Sequence, residues 1–84
     1  MPYDRIARAG KVCIGAKQTT KLIEQGKASE VYVAKDADPF ITSKIINLCK
    51  RMGTQVIYVD SMKQLGKACG IEVGAAVATI VNER

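Results

Sequence analysis

Apolar residues in this chain fall into short, β-branched runs separated by longer stretches in which they recur every three or four positions. Val12-Cys13-Ile14, Glu30-Val31-Tyr32-Val33-Ala34 and Gln55-Val56-Ile57-Tyr58-Val59 are runs of the length and composition that suit buried strands. Ala75 to Val81 is a fourth. Its alanines would also support a helix start, but Val77-Ala78-Thr79-Ile80-Val81 is short, apolar and β-branched, which favours strand. The intervening stretches read as helices. Tyr3 to Ala9 places Ile6 and Ala9 inward and Arg5 and Arg8 outward, and Gly10 ends it. A second helix starts near Ala16 or Lys17 and runs to Gly26. A third begins at Asp38-Pro39, an N-cap residue followed by the residue preferred in the first helical turn. It continues through Phe40, Ile41, Ile45, Ile46, Leu48, Cys49 and Met52 to Gly53. Ser61 caps the fourth, whose apolar face is Met62, Leu65, Ala68 and Cys69, and Gly70 closes it.

The resulting order, α-β-α-β-α-β-α-β with short connections, predicts an α/β fold in one domain spanning residues 1–84. Its expected form is a three-layer α/β/α sandwich around a small mixed, mostly parallel four-stranded sheet. There is no internal repeat and no low-complexity linker. Ligands on such sheets gather beyond the carboxyl ends of the strands. The Gly15 turn and the loop from Lys35 to Asp38 both follow strand ends. The loop from Gly70 to Gly74 joins them on the same side if the last strand runs antiparallel to its neighbours.

The turn at Gly15 carries the most suggestive chemistry. A helix that starts directly after a strand leaves about four backbone N–H groups without intrahelical partners and presents the positive end of its dipole. Lys17, Gln18 and Lys21 sit on that first turn, and the spacing of the two lysines puts them on one face. These features suit an anion, although two lysines on a helix are also an ordinary solvated surface. Composition sharpens the picture. The 84 residues carry 13 Lys+Arg against 8 Asp+Glu, a net charge of +5, and nucleic acid is the partner such a bias first suggests. With one Phe, three Tyr and no Trp, base stacking on an aromatic sheet face is not expected. The absence of His removes the usual general base and the commonest metal ligand. Cys13, Cys49 and Cys69 are odd in number and lack CxxC spacing, so structural buried thiols are expected rather than a disulfide framework or a zinc site. Gly15 stands alone, without a GxGxxG or GxxxxGK[ST] pattern. No cysteine has a plausible base beside it. An enzyme, a metal or a cofactor is therefore not expected. The amino terminus from Met1 to Arg5 shows no apolar leader pattern and no run is long enough to span a bilayer; a cytoplasmic protein, monomeric by default, is the expectation.

Three segments together resemble the ribosomal-protein family of kink-turn RNA binders: Gly15-Ala16-Lys17-Gln18-Thr19-Thr20-Lys21, Ala34-Lys35-Asp36-Ala37-Asp38-Pro39 and Leu65-Gly66-Lys67-Ala68-Cys69-Gly70-Ile71-Glu72-Val73. The resemblance covers nearly the whole chain, and the likeness is to the small, stand-alone bacterial members. It implies an α/β/α sandwich and a non-catalytic protein that stabilises a sharply bent RNA; whether the ribosome is a further partner is left open. In a kink-turn, sheared G·A pairs expose guanine edges in a widened groove, and the family's first helical turn enters that groove. The positions implied to contact RNA are Gly15, Ala16, Lys17, Gln18 and Lys21. Lys17 and Gln18 stand where relatives carry Asn and Glu, yet lysine can donate to guanine O6 and N7 and an amide can donate or accept. The family's second contact is an apolar loop that packs on bases of the kink, matched by Ile71, Glu72 and Val73. From the residues alone, these two branched side chains are as well placed in the core as in an exposed loop. Asp38 aligns with an acidic position that touches a flipped-out nucleotide in relatives, beside its reading as a helix cap, and Lys67 adds a cation. Two other readings stand beside RNA binding: a ribosome-associated assembly module, and a small nucleotide-binding α/β domain. If Lys17, Lys21 and Lys67 meet RNA, affinity measured across a salt series should fall with a log–log slope of about 0.7–0.9 per neutralised phosphate; a flat profile would exclude an electrostatic RNA interface.

Overall fold

The structure is a computed structural model that describes residues 2–82; Met1, where the reading of the amino terminus begins, lies outside the described residues. Eight elements form in the expected order: α1 (Pro2–Arg8), β1 (Val12–Ile14), α2 (Ala16–Glu24), β2 (Ala28–Ala34), α3 (Pro39–Met52), β3 (Gln55–Val59), α4 (Met62–Ala68) and β4 (Val77–Val81). α1 and α2 end at Arg8 and Glu24, ahead of the expected Ala9 and Gly26, and the strand boundaries differ at two places. β2 begins two residues earlier than its apolar run, and Ala75 and Ala76 precede β4 rather than belonging to it. The expected caps form. The Asp38 carboxylate accepts the Phe40 N–H at 2.9 Å with Pro39 beside it, and the Ser61 hydroxyl accepts the Gln64 N–H at 3.1 Å. These bonds satisfy donors that a helix start otherwise leaves unmet.

The sheet order is β1-β4-β2-β3. β2 and β3 pair in parallel, while β4 lies between β1 and β2 and runs antiparallel to both. Three strands therefore share a direction and the sheet is mixed, with one parallel ladder. Central β2 is buried from Glu30 onward. Its side chains alternate, as strand geometry requires. Val31 and Val33 join Val77 from β4 in a core with Ile23, Ile45, Leu48 and Cys49 of α2 and α3. Tyr32 and Ala34 join Ala78 in a second core with Ile6, Val59 and Leu65, beneath α1 and α4. One sheet thus has two apolar faces, each covered by a helix pair, and the α/β/α sandwich follows. Cys49 is fully buried as expected, but Cys13 and Cys69 are only half-buried, because β1 is an edge strand and Cys69 sits at the end of α4.

Polar groups inside this core are satisfied in two clusters. The Thr79 hydroxyl bonds that of Thr19 at 2.7 Å, both fully buried, fixing α2 to β4. Buried Glu30 accepts from the Tyr32 hydroxyl at 3.2 Å and forms an ion pair with Arg5 of α1. Burial, then the Glu30 charge and the hydrogen bond to it, push the Tyr32 phenol up to about 12. The neutral phenol is thus held in the folded state while the unfolded one titrates near its ordinary value of 10. Between pH 10 and 12 the unfolded state binds fewer protons, so stability falls as pH rises through that window. Urea unfolding of wild type and Tyr32→Phe across it should show the variant, weaker at neutral pH, losing less stability than wild type; parallel losses would mean that Tyr32 is not the group concerned.

Candidate functional site

Because β4 is inserted antiparallel, its entrance lies beside the exits of β1 and β2. The Gly15 N–H donates to Val77 O at 3.1 Å and the Ala34 N–H donates to Ala76 O at 3.0 Å. These two bonds bring the Gly15 turn and the Lys35–Asp38 loop to one end of the sheet, together with the segment that enters β4. The third loop is held there by α4. Ile71 N–H donates to Gly66 O at 3.0 Å, and Ala75 N–H to Met62 O at 3.0 Å. The Asp36 carboxylate accepts the Met62 N–H at 2.8 Å, tying the second loop to the start of α4. Gly66 permits this closeness: any side chain on it would run into the Val73 carbonyl oxygen. The three loops singled out in the sequence are therefore neighbours.

Gly15 holds φ 104° and ψ 152°, a conformation essentially restricted to glycine. It lets the chain turn from β1 directly into α2. No side chain caps α2 and no acidic residue lies in its first turn, so the first-turn N–H groups and the dipole face outward. Lys17, Gln18 and Lys21 are exposed on this turn and Ala16 is half-buried behind them. Among the described residues, Lys17, Lys21 and Lys67 make no ion pair. Lys35 is spanned loosely to Asp60 at 3.9 Å. Asp38 is exposed, with its capping bond to Phe40 in place.

The apolar loop divides. Val73 is 69% exposed and Glu72 is exposed, whereas Ile71 is half-buried and packs on the core beneath α1 and α4. Of the two branched side chains, which the residues alone placed equally well in core or loop, Ile71 is thus drawn under α4, where its N–H donates to Gly66 O, and Val73 is left in water. Lys67 is exposed but lines a separate depression with Tyr3, Asp60, Gln64 and Ala68. It is not brought together with Lys17 and Lys21. The latter two instead line a larger groove of about 520 Å³ between α2 and α3, together with Phe40, Ile41 and Lys44. Phe40 and Ile41, expected on the apolar face of α3, are 68% and 37% exposed. A signal for Phe40 was present in the spacing, since it shares a helical stripe with Lys44, Asn47 and Arg51, all exposed.

Burial pushes the thiols of Cys49 and Cys69 up, which disfavours the reactive thiolate. Among the described residues no group of three potential ligands is placed to hold a metal, and no helix is long and apolar enough to cross a membrane.

Fold and surface together define a small α/β sandwich that gathers three loops and an uncapped helix start at one end of its sheet. The chain belongs to the Ribosomal protein L7Ae/L30e/S12e/Gadd45 family, whose model matches residues 3–84. It is 48% identical over 81 residues to a protein of Bacillus pumilus named RNA-binding protein, covering 96% of this chain and 99% of that one. It is 47% identical over 81 residues to the RNA-binding protein YbxF of Geobacillus stearothermophilus, with the same coverage. Among solved structures, the Giardia lamblia 15.5kD RNA binding protein superposes with a TM-score of 0.82 at 32% identity, over 94% of this chain and 67% of that one.

The division of the apolar loop is open to direct measurement. Ile71→Ser should lower stability by about 1–2 kcal/mol through lost burial. Val73→Ser should stay within about 0.5 kcal/mol of wild type, as surface changes do. Equal losses in urea unfolding would show that the two side chains share one environment.

Proposed function

We propose that this protein is a non-catalytic RNA-binding domain that recognises kink-turn RNA with the end of the sheet where the three loops meet. The observation that carries this reading is the juxtaposition made by the Gly15–Val77 and Ala34–Ala76 backbone bonds. It sets an uncapped helix start, with two lysines and an amide, beside a loop that exposes an apolar side chain. RNA-binding names among relatives that match nearly end to end support the same class.

In this proposal each group has a separate task. The first-turn N–H groups of α2 and the turn at Gly15 and Ala16 face the RNA backbone, where positive potential is favourable. Lys17 and Gln18 reach guanine edges of the sheared G·A pairs, and Lys21, one helical turn on, takes an adjacent phosphate or base edge. Val73 packs on bases at the kink, Glu72 presents its backbone and carboxylate beside it, and Ile71 anchors that loop from below. Asp38, held by its own cap, can accept from the amino group of an unpaired base. Lys67, on the other helical layer, contributes long-range attraction rather than a contact shared with Lys17. The protein acts as a monomer in the cytoplasm, and an RNA within the ribosome is one candidate target.

Base reading and simple charge attraction differ at Gln18. Gln18→Ala keeps the net charge but should weaken binding to a kink-turn by about 1–3 kcal/mol if the amide reaches a guanine edge. It should also narrow the gap between that RNA and one whose G·A pairs are replaced. Affinities of both proteins for both RNAs at fixed salt decide the matter. An equal effect on the two RNAs, or none, would remove Gln18 from base recognition.

A further inference from the structure

The groove between α2 and α3 has a composition that the loops at the sheet end do not account for. Its floor is apolar, made by Ala16, Ile41 and buried Ile45. Its rim carries Lys17, Lys21 and Lys44 against a single carboxylate, Glu24. On that rim stands Phe40, the only phenylalanine of the chain, 68% exposed at the first turn of α3. The Lys44 ammonium lies 4.2 Å from its ring centroid. A cation on one face of an aromatic ring holds the ring in place and leaves its other face open. Single exposed apolar side chains are ordinary on a protein surface, but Phe40 adjoins exposed Ile41 in the same groove, and adjoining exposed apolar groups rimmed by charge mark interaction sites.

We propose that this groove holds an unpaired RNA strand continuing from the element bound at the α2 start, with one base stacked on Phe40 and its phosphates near Lys21 and Lys44. The inference rests on the RNA-binding reading above and extends it to a second segment of the same ligand. Two observations choose RNA as the occupant. The groove is continuous with the α2 start, since Lys17, Gln18 and Lys21 line both. Its rim is also cationic by three to one, which complements a polyanion rather than an apolar helix. An aromatic face among lysines is the usual platform for single-stranded nucleic acid, and it accepts any base because every base has a π-face. The stack therefore adds affinity without sequence preference, in contrast to Gln18.

The test uses a blunt-ended kink-turn RNA and the same RNA carrying about six unpaired nucleotides at one end or the other. Wild type should bind one of the extended RNAs more tightly than the blunt RNA, by roughly 5- to 150-fold for one stacked base. Phe40→Ala should abolish that gain while leaving blunt-RNA affinity and melting temperature unchanged, because the ring is exposed. Phe40→Trp should keep the gain. Absence of any gain at either end, or a gain that survives Phe40→Ala, overturns the groove assignment while blunt-RNA binding leaves the main reading standing. Failure to bind blunt kink-turn RNA overturns both. Self-association in sedimentation that Phe40→Ala abolishes would assign the groove to a second copy of the chain, and competition by an acidic peptide but not by single-stranded RNA would assign it to a protein; either overturns the proposal.

Discussion

The insertion of β4 between β1 and β2 is the constraint on which the rest of this molecule depends. β1 is three residues long and its ladder is made with β4 alone. Without β4, the strand that delivers the chain to Gly15 has nothing to pair with. β4 also supplies Val77 to one core and Ala78 to the other. Its direction sets which connections meet: a strand entering where its neighbours leave brings their exit loops to its own entrance. The hydrogen bonds from Gly15 and Ala34 to Val77 and Ala76 are the local expression of that arrangement.

Rigidity at this end of the sheet comes from a few buried contacts rather than from many surface ones. The Thr19–Thr79 bond crosses from helix to sheet inside the core, where an unmet hydroxyl would be costly. It holds α2 two residues beyond Lys17 and one beyond Gln18, so the exposed side chains of that turn project from a fixed base. Gly66 does the same for the other side by letting the Val73 segment lie directly on α4. Surface ion pairs have a minor part in comparison, since the Lys35–Asp60 pair is long and exposed.

The surface so built is basic and contains little aromatic area, which fits an RNA ligand read by its backbone, its exposed base edges and its shape. Under the proposed reading, recognition is divided between groups of different kinds. Gln18 discriminates, Lys17 and Lys21 attract and read, and Val73 supports the bend. Phe40 and Lys44 then extend the interface along a single strand without adding sequence preference.

Local chemistry alone determined most of the elements. The Asp38-Pro39 and Ser61 starts and the glycine stops are legible because caps and positive-φ positions depend on residues within a few places of one another. The strands were legible because their β-branched runs are short and sharply bounded. The three candidate loops were legible for the same reason. Tertiary structure decided what depends on distant partners. The order β1-β4-β2-β3 pairs β1 with a strand from the far end of the chain, Val12 with Ile80, and no local pattern states it; Thr19 and Thr79 are likewise 60 residues apart. Ile71 and Val73 look alike in the sequence, and only the backbone bond from Ile71 to Gly66 turns one toward the core and leaves the other in water. Likewise Phe40 and Ile41 read as ordinary members of an apolar helix. They line a groove because α2 packs alongside α3 and stops short of covering them, and burial of that kind is fixed by where the neighbouring helix lies rather than by the residues themselves.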